Sequence, residues 1–175
     1  PRAVGIDEHH LPTGMFLGLQ KKSRVIPFGE YIQKPREVKD EQEQELMKKA
    51  ISIDRKVFEG IDIFNKKELD IAREMEKGFF EQGAQPAFET IVASGGNAGN
   101  QIHHFPTNRV VSRRDMVIID FGSRWKGYSS DITRTYFLKT DRKQRGIFEA
   151  VQEIQQRCIE LVRPGADFAE INTFH

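Results

Sequence analysis

Cysteine is almost absent from this 175-residue chain, where Cys158 stands alone. A single thiol excludes an internal disulfide and fits a reducing compartment, so the expected location is the cytoplasm. Cys158 falls on the apolar face of an expected helix and reads as core packing, not as a nucleophile. No apolar run approaches the roughly 18 residues needed to span a bilayer, which argues against a membrane protein. Charge of one sign is not in excess either. The 27 basic and 26 acidic side chains are interleaved and leave a net +1. That balance argues against nucleic acid as a partner. The short runs Lys21-Lys22-Ser23-Arg24 and Arg142-Lys143-Gln144-Arg145 read as solvated faces. The opening PRAVGIDEHH lacks both a methionine and an apolar signal core, as expected of a piece of something longer.

What is present is an ordinary globular balance, 38% apolar and 30% charged. Residues 1–36 carry Pro12, Gly14, Gly18, Pro27, Gly29 and Pro35. Glycine and proline at that density punctuate a chain more than they build helices, so the stretch reads as the last strands and exit linker of a preceding domain. Residues 37–175 read as the start of a second domain. Asp40 with Glu43 forms a capping box, and Leu46, Ala50, Ile53 and Val57 follow at helical spacing. A second helix is expected after Asn65, with Glu68 as box partner, Leu69, Ala72, Met75 and Phe79 on one face, and Gly83 as its stop. Strands are expected at Phe88–Ala93, Met116–Phe121 and Tyr128–Leu138. A third helix follows Asp141 and Gln144, with Ile147, Val151, Ile154 and Cys158 as its buried stripe. Asp167 and Glu170 open a fourth, barely begun before His175. Asn65–Leu69 and Asp167–Ile171 play the same cap-and-start role 102 residues apart, a faint internal repeat.

Two aspartates carry the chemistry. They lie in Ile118-Ile119-Asp120-Phe121-Gly122 and Ser130-Asp131-Ile132-Thr133-Arg134-Thr135, separated by a turn-like stretch. A hairpin centred on Trp125-Lys126 sets Asp120 and Asp131 directly opposite one another on one face, with Val117, Ile119 and Ile132 on the other. Like charges directly opposed in a ladder are destabilising, the more so on a half-dry face. A shared proton, basic partners or divalent cations would each relieve the repulsion. Spacing alone leaves a plainer alternative equally open: polar residues at the solvent end of a hairpin.

The flanking text narrows the choice. Phe88-Glu89-Thr90-Ile91-Val92-Ala93-Ser94-Gly95, Ile102-His103-His104, Pro106-Thr107, Ile119-Asp120-Phe121-Gly122, Gly127-Tyr128 and Ser130-Asp131-Ile132-Thr133-Arg134-Thr135 together resemble the Xaa-Pro dipeptidase and Xaa-Pro aminopeptidase family. The resemblance runs from about Ile32 to His175. It implies an α+β pita-bread fold, here the first half and the start of the second, preceded by the end of an N-terminal α/β domain. It implies that Asp120 binds one metal and that Asp131 bridges two. His103, 17 residues before Asp120, would contact substrate or the leaving amine, while His104 would point elsewhere. Thr133 would hydrogen-bond a metal-binding carboxylate, and Arg134 would face away. The cofactor implied is a pair of divalent ions, manganese first, with cobalt and zinc as alternatives. The reaction is hydrolysis of the bond before a proline in second position, by hydroxide held between the two ions.

The family completes its site with a histidine and two glutamates, expected beyond His175. This chain alone is therefore expected to bind metal weakly and to be inactive. Arg114 stands where the family usually has glycine at a turn, a departure that suggests strain or a different turn. A homodimer is one assembly open to such a protein. Two alternatives are a non-catalytic pita-bread binding module and a metal-independent, creatinase-like hydrolase, and retention of both aspartates counts against each. Gly95-Gly96-Asn97-Ala98-Gly99 matches no nucleotide fingerprint and reads as the loop that delivers His103.

Overall fold

The structure, a computed structural model, describes residues 3–100 and 103–173. Ile102 of the histidine motif and the terminal His175 lie outside that range. The chain forms two compact units, residues 1–48 and 49–175.

The first unit holds β1 (Ala3–Ile6), α1 (Thr13–Gln20), β2 (Arg24–Pro27), α2 (Gly29–Glu37) and the start of α3 (Glu41–Glu59). β1 and β2 pair in parallel, Ala3 opposite Arg24, with α1 as the connection such a pair requires. Two helices thus stand where glycine and proline suggested none. The reason is positional. Pro12 is the residue before α1, and Gly29 opens α2. There the Glu8 carboxylate accepts from the N–H groups of Phe28 and Gly29, at 3.1 and 2.9 Å. Pro35 lies inside α2 and removes one backbone hydrogen bond from its last turn. The capping box at the start of α3 forms as the sequence suggests: Glu43 N–H donates to Asp40 Oδ1, and Asp40 N–H to Glu43 Oε2.

The second unit continues with α4 (Glu68–Glu81), β3 (Gln85–Pro86), β4 (Ile91–Ser94), α5 (Asn97–Asn100), β5 (Val117–Phe121), β6 (Ser123–Trp125), β7 (Tyr128–Ser129), β8 (Ile132–Tyr136), α6 (Arg142–Leu161) and α7 (Phe168–Asn172). Two three-stranded antiparallel sheets form, ordered β4-β5-β8 and β3-β6-β7. Ile53 and Val57 of α3, and Ile71, Ala72, Met75 and Phe79 of α4, build one core with Val92, Val117, Ile119 and Phe121 of the first sheet. Burying such side chains stabilises the fold by roughly 1.5–3 kcal/mol each. Along β5 burial alternates, so Val117, Ile119 and Phe121 face the helices while Ile118 and Asp120 face the other way. That second face of the sheet carries the candidate site.

Helix α6 departs from expectation. Its capping box at Asp141 and Gln144 is present. Its apolar stripe, however, is not buried: Ile147, Val151 and Ile154 are exposed and Cys158 is only half-buried. Amphipathic spacing shows which face of a helix can be covered, not that anything in the same chain covers it. Asp167 caps α7 through the Ala169 N–H. Arg114 has no strain to explain, because Asn65 and Lys126 are the only non-glycine residues with positive φ among those described. No helix among the described residues is long and apolar enough to cross a membrane.

Candidate active site

The hairpin that carries both aspartates turns one residue later than its sequence suggests. Trp125 pairs with Tyr128, so Lys126 and Gly127 form the tip. Their φ values, 49° and 92°, are both positive, as a two-residue turn matched to strand twist demands. The register follows from the turn. Asp120 lies opposite Thr133, not opposite Asp131. Moving the tip by one residue moves the partner by two, and two residues preserve the face. Asp131 therefore stays on the side of Asp120 and becomes its diagonal neighbour. Diagonal neighbours lie about 7–8 Å apart, where two carboxylates repel by about 2 kcal/mol near a protein surface.

The single long strand expected at Tyr128–Leu138 is broken into β7 and β8, with Ser130 and Asp131 at the break. Gly122 makes the break possible. A Cβ there would sit 2.1 Å from the Ser130 carbonyl oxygen. The two backbones touch at this point, and Asp131 leaves the ladder just beyond it.

Asp120, Asp131 and His103 line one cavity of about 390 Å³, together with Phe88, Ile91 and Pro106. The walls are mostly apolar and the acidic groups few, the usual character of a site that takes a small organic ligand. Thr133 Oγ1 donates to Asp120 Oδ1 at 3.0 Å, which fixes that carboxylate's rotation. Arg134 turns back on its own strand, donating to the Thr133 carbonyl at 2.8 Å. A second cavity, lined by Ile91, Ala93, Ile118 and Thr133, shares Asp120 as a wall.

Carboxylate oxygens are the donors that hard divalent cations accept. Asp120, Asp131 and Glu89 all border one cavity, and Thr133 engages one oxygen of Asp120. The chemistry fits a cation site in part. Among the described residues, no group of three or more His, Cys, Asp or Glu converges closely enough to hold a metal by itself.

Sequence reading missed Glu68. It does not cap α4; the residue before the helix is Lys67, which makes no side-chain cap. Glu68 is instead wholly buried. Its Oε1 accepts from Ser94 N–H at 2.8 Å, Ser94 Oγ at 2.6 Å and Asn97 Nδ2 at 3.0 Å. Its Oε2 accepts from Thr107 Oγ1 at 2.6 Å and Thr107 N–H at 3.1 Å, and lies 3.2 Å from His104 Nε2. Burial pushes this carboxyl up, but the donors Ser94, Thr107, Asn97 and His104 outweigh it and hold the pKa at about 2. His104 therefore points to Glu68, although it too borders the cavity. Arg109 extends the network, with a bidentate pair to Asp115 and a bond to Ser94 Oγ at 3.1 Å.

Asp54 was missed too. It is fully buried on α3, and neither carboxylate oxygen has a hydrogen-bond partner. The nearby hydroxyls are committed elsewhere: Ser123 Oγ donates to the Ala50 carbonyl and Ser130 Oγ to the Ser123 carbonyl. Burial raises the Asp54 pKa. A lone acidic residue on an otherwise apolar helical face, as in Ile53-Asp54-Val57, is the signal that marks such a group.

Comparison with known proteins gives the family and the fold. Residues 45–174 match the model of metallopeptidase family M24. The chain is 34% identical to an Xaa-Pro dipeptidase of Pyrococcus horikoshii, over 98% of its own length and 51% of that protein's. The crystal structure of the prolidase from Pyrococcus horikoshii superposes with a TM-score of 0.90 at 32% identity, over 99% of this chain and 52% of that one. An X-Pro aminopeptidase from Thermotoga maritima superposes with a TM-score of 0.82 at 27% identity, over 93% and 48%. The chain thus spans about half the length of the relatives it matches, with their pita-bread fold. On its sequence and its architecture alike, it belongs to metallopeptidase family M24.

Proposed function

We propose that this chain supplies half of the active site of a metal-dependent peptidase that cleaves the bond before proline. The observation that carries the reading is the convergence of Asp120, Asp131 and His103 on one cavity. Asp120 and Asp131 would hold the metal, Asp131 as the bridging ligand and Asp120, its rotation set by Thr133, on one ion. The group these residues would hold is a pair of divalent ions, manganese first, which when bound would lower the pKa of water towards neutral pH. His103 would hydrogen-bond the substrate and steady the departing proline nitrogen as the C–N bond breaks. The apolar walls, Phe88, Ile91 and Pro106, suit a proline ring and exclude water from the reacting centre. Proline removes an N–H and restricts the residue before it, so a dedicated pocket is needed for this bond.

Two carboxylates supply a charge of about −2 against +4 from two divalent ions. The remaining ligands come from outside the described residues in this reading, and the chain alone is inactive. The single cysteine fits action in the cytoplasm. A non-catalytic binding module has no use for two like charges on one half-dry face, and nothing else in the cavity favours that role.

The test is hydrolysis of Ala-Pro with added manganese, by this chain and by a fusion to the C-terminal half of the Pyrococcus horikoshii relative. The expected result is no turnover by the chain and turnover by the fusion that Asp131→Asn abolishes. Turnover by the chain alone contradicts the half-site. A folded fusion that binds manganese and leaves Ala-Pro intact contradicts the peptidase reading.

A further inference from the structure

Between Gly95 and Met116 the described residues bring His103 to the cavity with little regular structure beyond α5. Such a loop needs something to fix it, because an unrestrained loop side chain samples many rotamers. Glu68 is placed to do this. One carboxylate oxygen, Oε1, takes donors from the entering end of the segment, Ser94 and Asn97. The other, Oε2, takes donors from the far side of His103, namely His104 and Thr107, and a second contact from Asn97 Nδ2 at 3.1 Å. Both ends close on one buried carboxylate, which is itself fixed at the first turn of α4. The Glu68 N–H donates to the Arg109 carbonyl at 3.0 Å, tying the exit of the segment to the same residue.

We infer that Glu68 is the positioning residue for His103, and that it acts through His104. The chain bends at His103, and the side chains of His103 and His104 face different ways. Gripping His104 inward therefore turns His103 outward. His104 is accordingly half-buried, whereas His103 is exposed. A rotation of His104 about the backbone would carry His103 off the cavity wall. Burying an ionised carboxylate is expensive, and it is tolerated where several donors converge on it. Here Asn97, His104 and Thr107 of the segment share the carboxylate with Ser94 at the end of β4, so Glu68 ties the loop to the sheet. The inference rests on the reading of His103 as the substrate-facing residue, but its geometry can be tested without substrate.

The test is NMR of the chain with 13C,15N-labelled histidine, comparing wild type with Glu68→Gln, His104→Phe and His104→Gln. The expected result is that His104→Phe moves the His103 ring signal to that of a freely rotating, solvated imidazole. His104→Gln keeps a donor for Oε2 and returns the signal to its wild-type position, a rescue that a purely space-filling His104 would not show. Glu68→Gln shifts the His103 signal at least as far as His104→Phe does. If Glu68→Gln fails to fold, the two His104 variants decide alone. An unchanged His103 signal in folded His104→Phe overturns the inference, as does failure of His104→Gln to restore it. Manganese added to the same samples broadens signals near Asp120 and Asp131 if the metal reading holds. Absence of that broadening counts against the peptidase reading and leaves the His103 result standing.

Discussion

Single residues carry two opposite electrostatic solutions in this chain. Glu68 is buried and ionised because hydrogen-bond donors surround it, while Asp54 is buried with none. The signs of their pH dependence differ. Glu68 has a folded-state pKa of about 2 against an ordinary 4.5, so the unfolded chain binds the extra proton between those values. Its contribution, roughly 3 kcal/mol, is complete above pH 4.5 and is lost as pH falls towards 2. Urea unfolding of Glu68→Gln should show a loss of about that size at pH 7 and a shrinking difference from wild type below pH 4.5. Asp54 is raised above its ordinary 3.8, so the folded chain binds the extra proton and stability falls as pH rises past 3.8. Asp54→Asn should therefore stabilise the chain at pH 7 by about 1 kcal/mol, since it removes a buried charge and adds N–H donors that the Ser123 and Ser130 hydroxyl oxygens can accept. The advantage should vanish near pH 3, again by urea unfolding. Neither role could be read from spacing. Glu68 sits where a capping box would place it, and only tertiary structure shows donors arriving from four residues far along the chain.

At the scale of elements, the helices and strands that build the site were legible and their register was not. Helical spacing located α3, α4 and α6, and alternation located β5, because those periods are set by the backbone itself. The hairpin register depends on which two residues take positive φ. The pair Lys126-Gly127 was the available signal, with its glycine second as type I′ turns favour. Lys126→Asn should stabilise the hairpin by about 0.5–1 kcal/mol, since lysine resists the left-handed region that asparagine tolerates. Thermal unfolding checks it. Gly122→Ala should be severe, at least about 3 kcal/mol, because a methyl group 2.1 Å from the Ser130 carbonyl forces the two backbones apart and displaces Asp131. Apolar spacing overreached at α6, where Val151 is 60% exposed. Val151→Lys should cost less than about 0.5 kcal/mol, against 2–5 kcal/mol for Ile119→Ala in the core.

For the whole molecule, what matters is how much of a site one chain holds. The direct pairing expected of Asp120 and Asp131 gave way to Asp120 opposite Thr133, but their place on one face was legible from their spacing. The cavity that joins them to His103 was not, since a loop's path depends on what grips it. The account stands on those two carboxylates binding a divalent cation together. Manganese titration followed by paramagnetic broadening of the Asp120 and Asp131 amide signals tests it most directly. The account predicts weak, saturable broadening centred on those two residues and lost in both Asp120→Asn and Asp131→Asn. Broadening centred elsewhere, or undiminished in either variant, would contradict it.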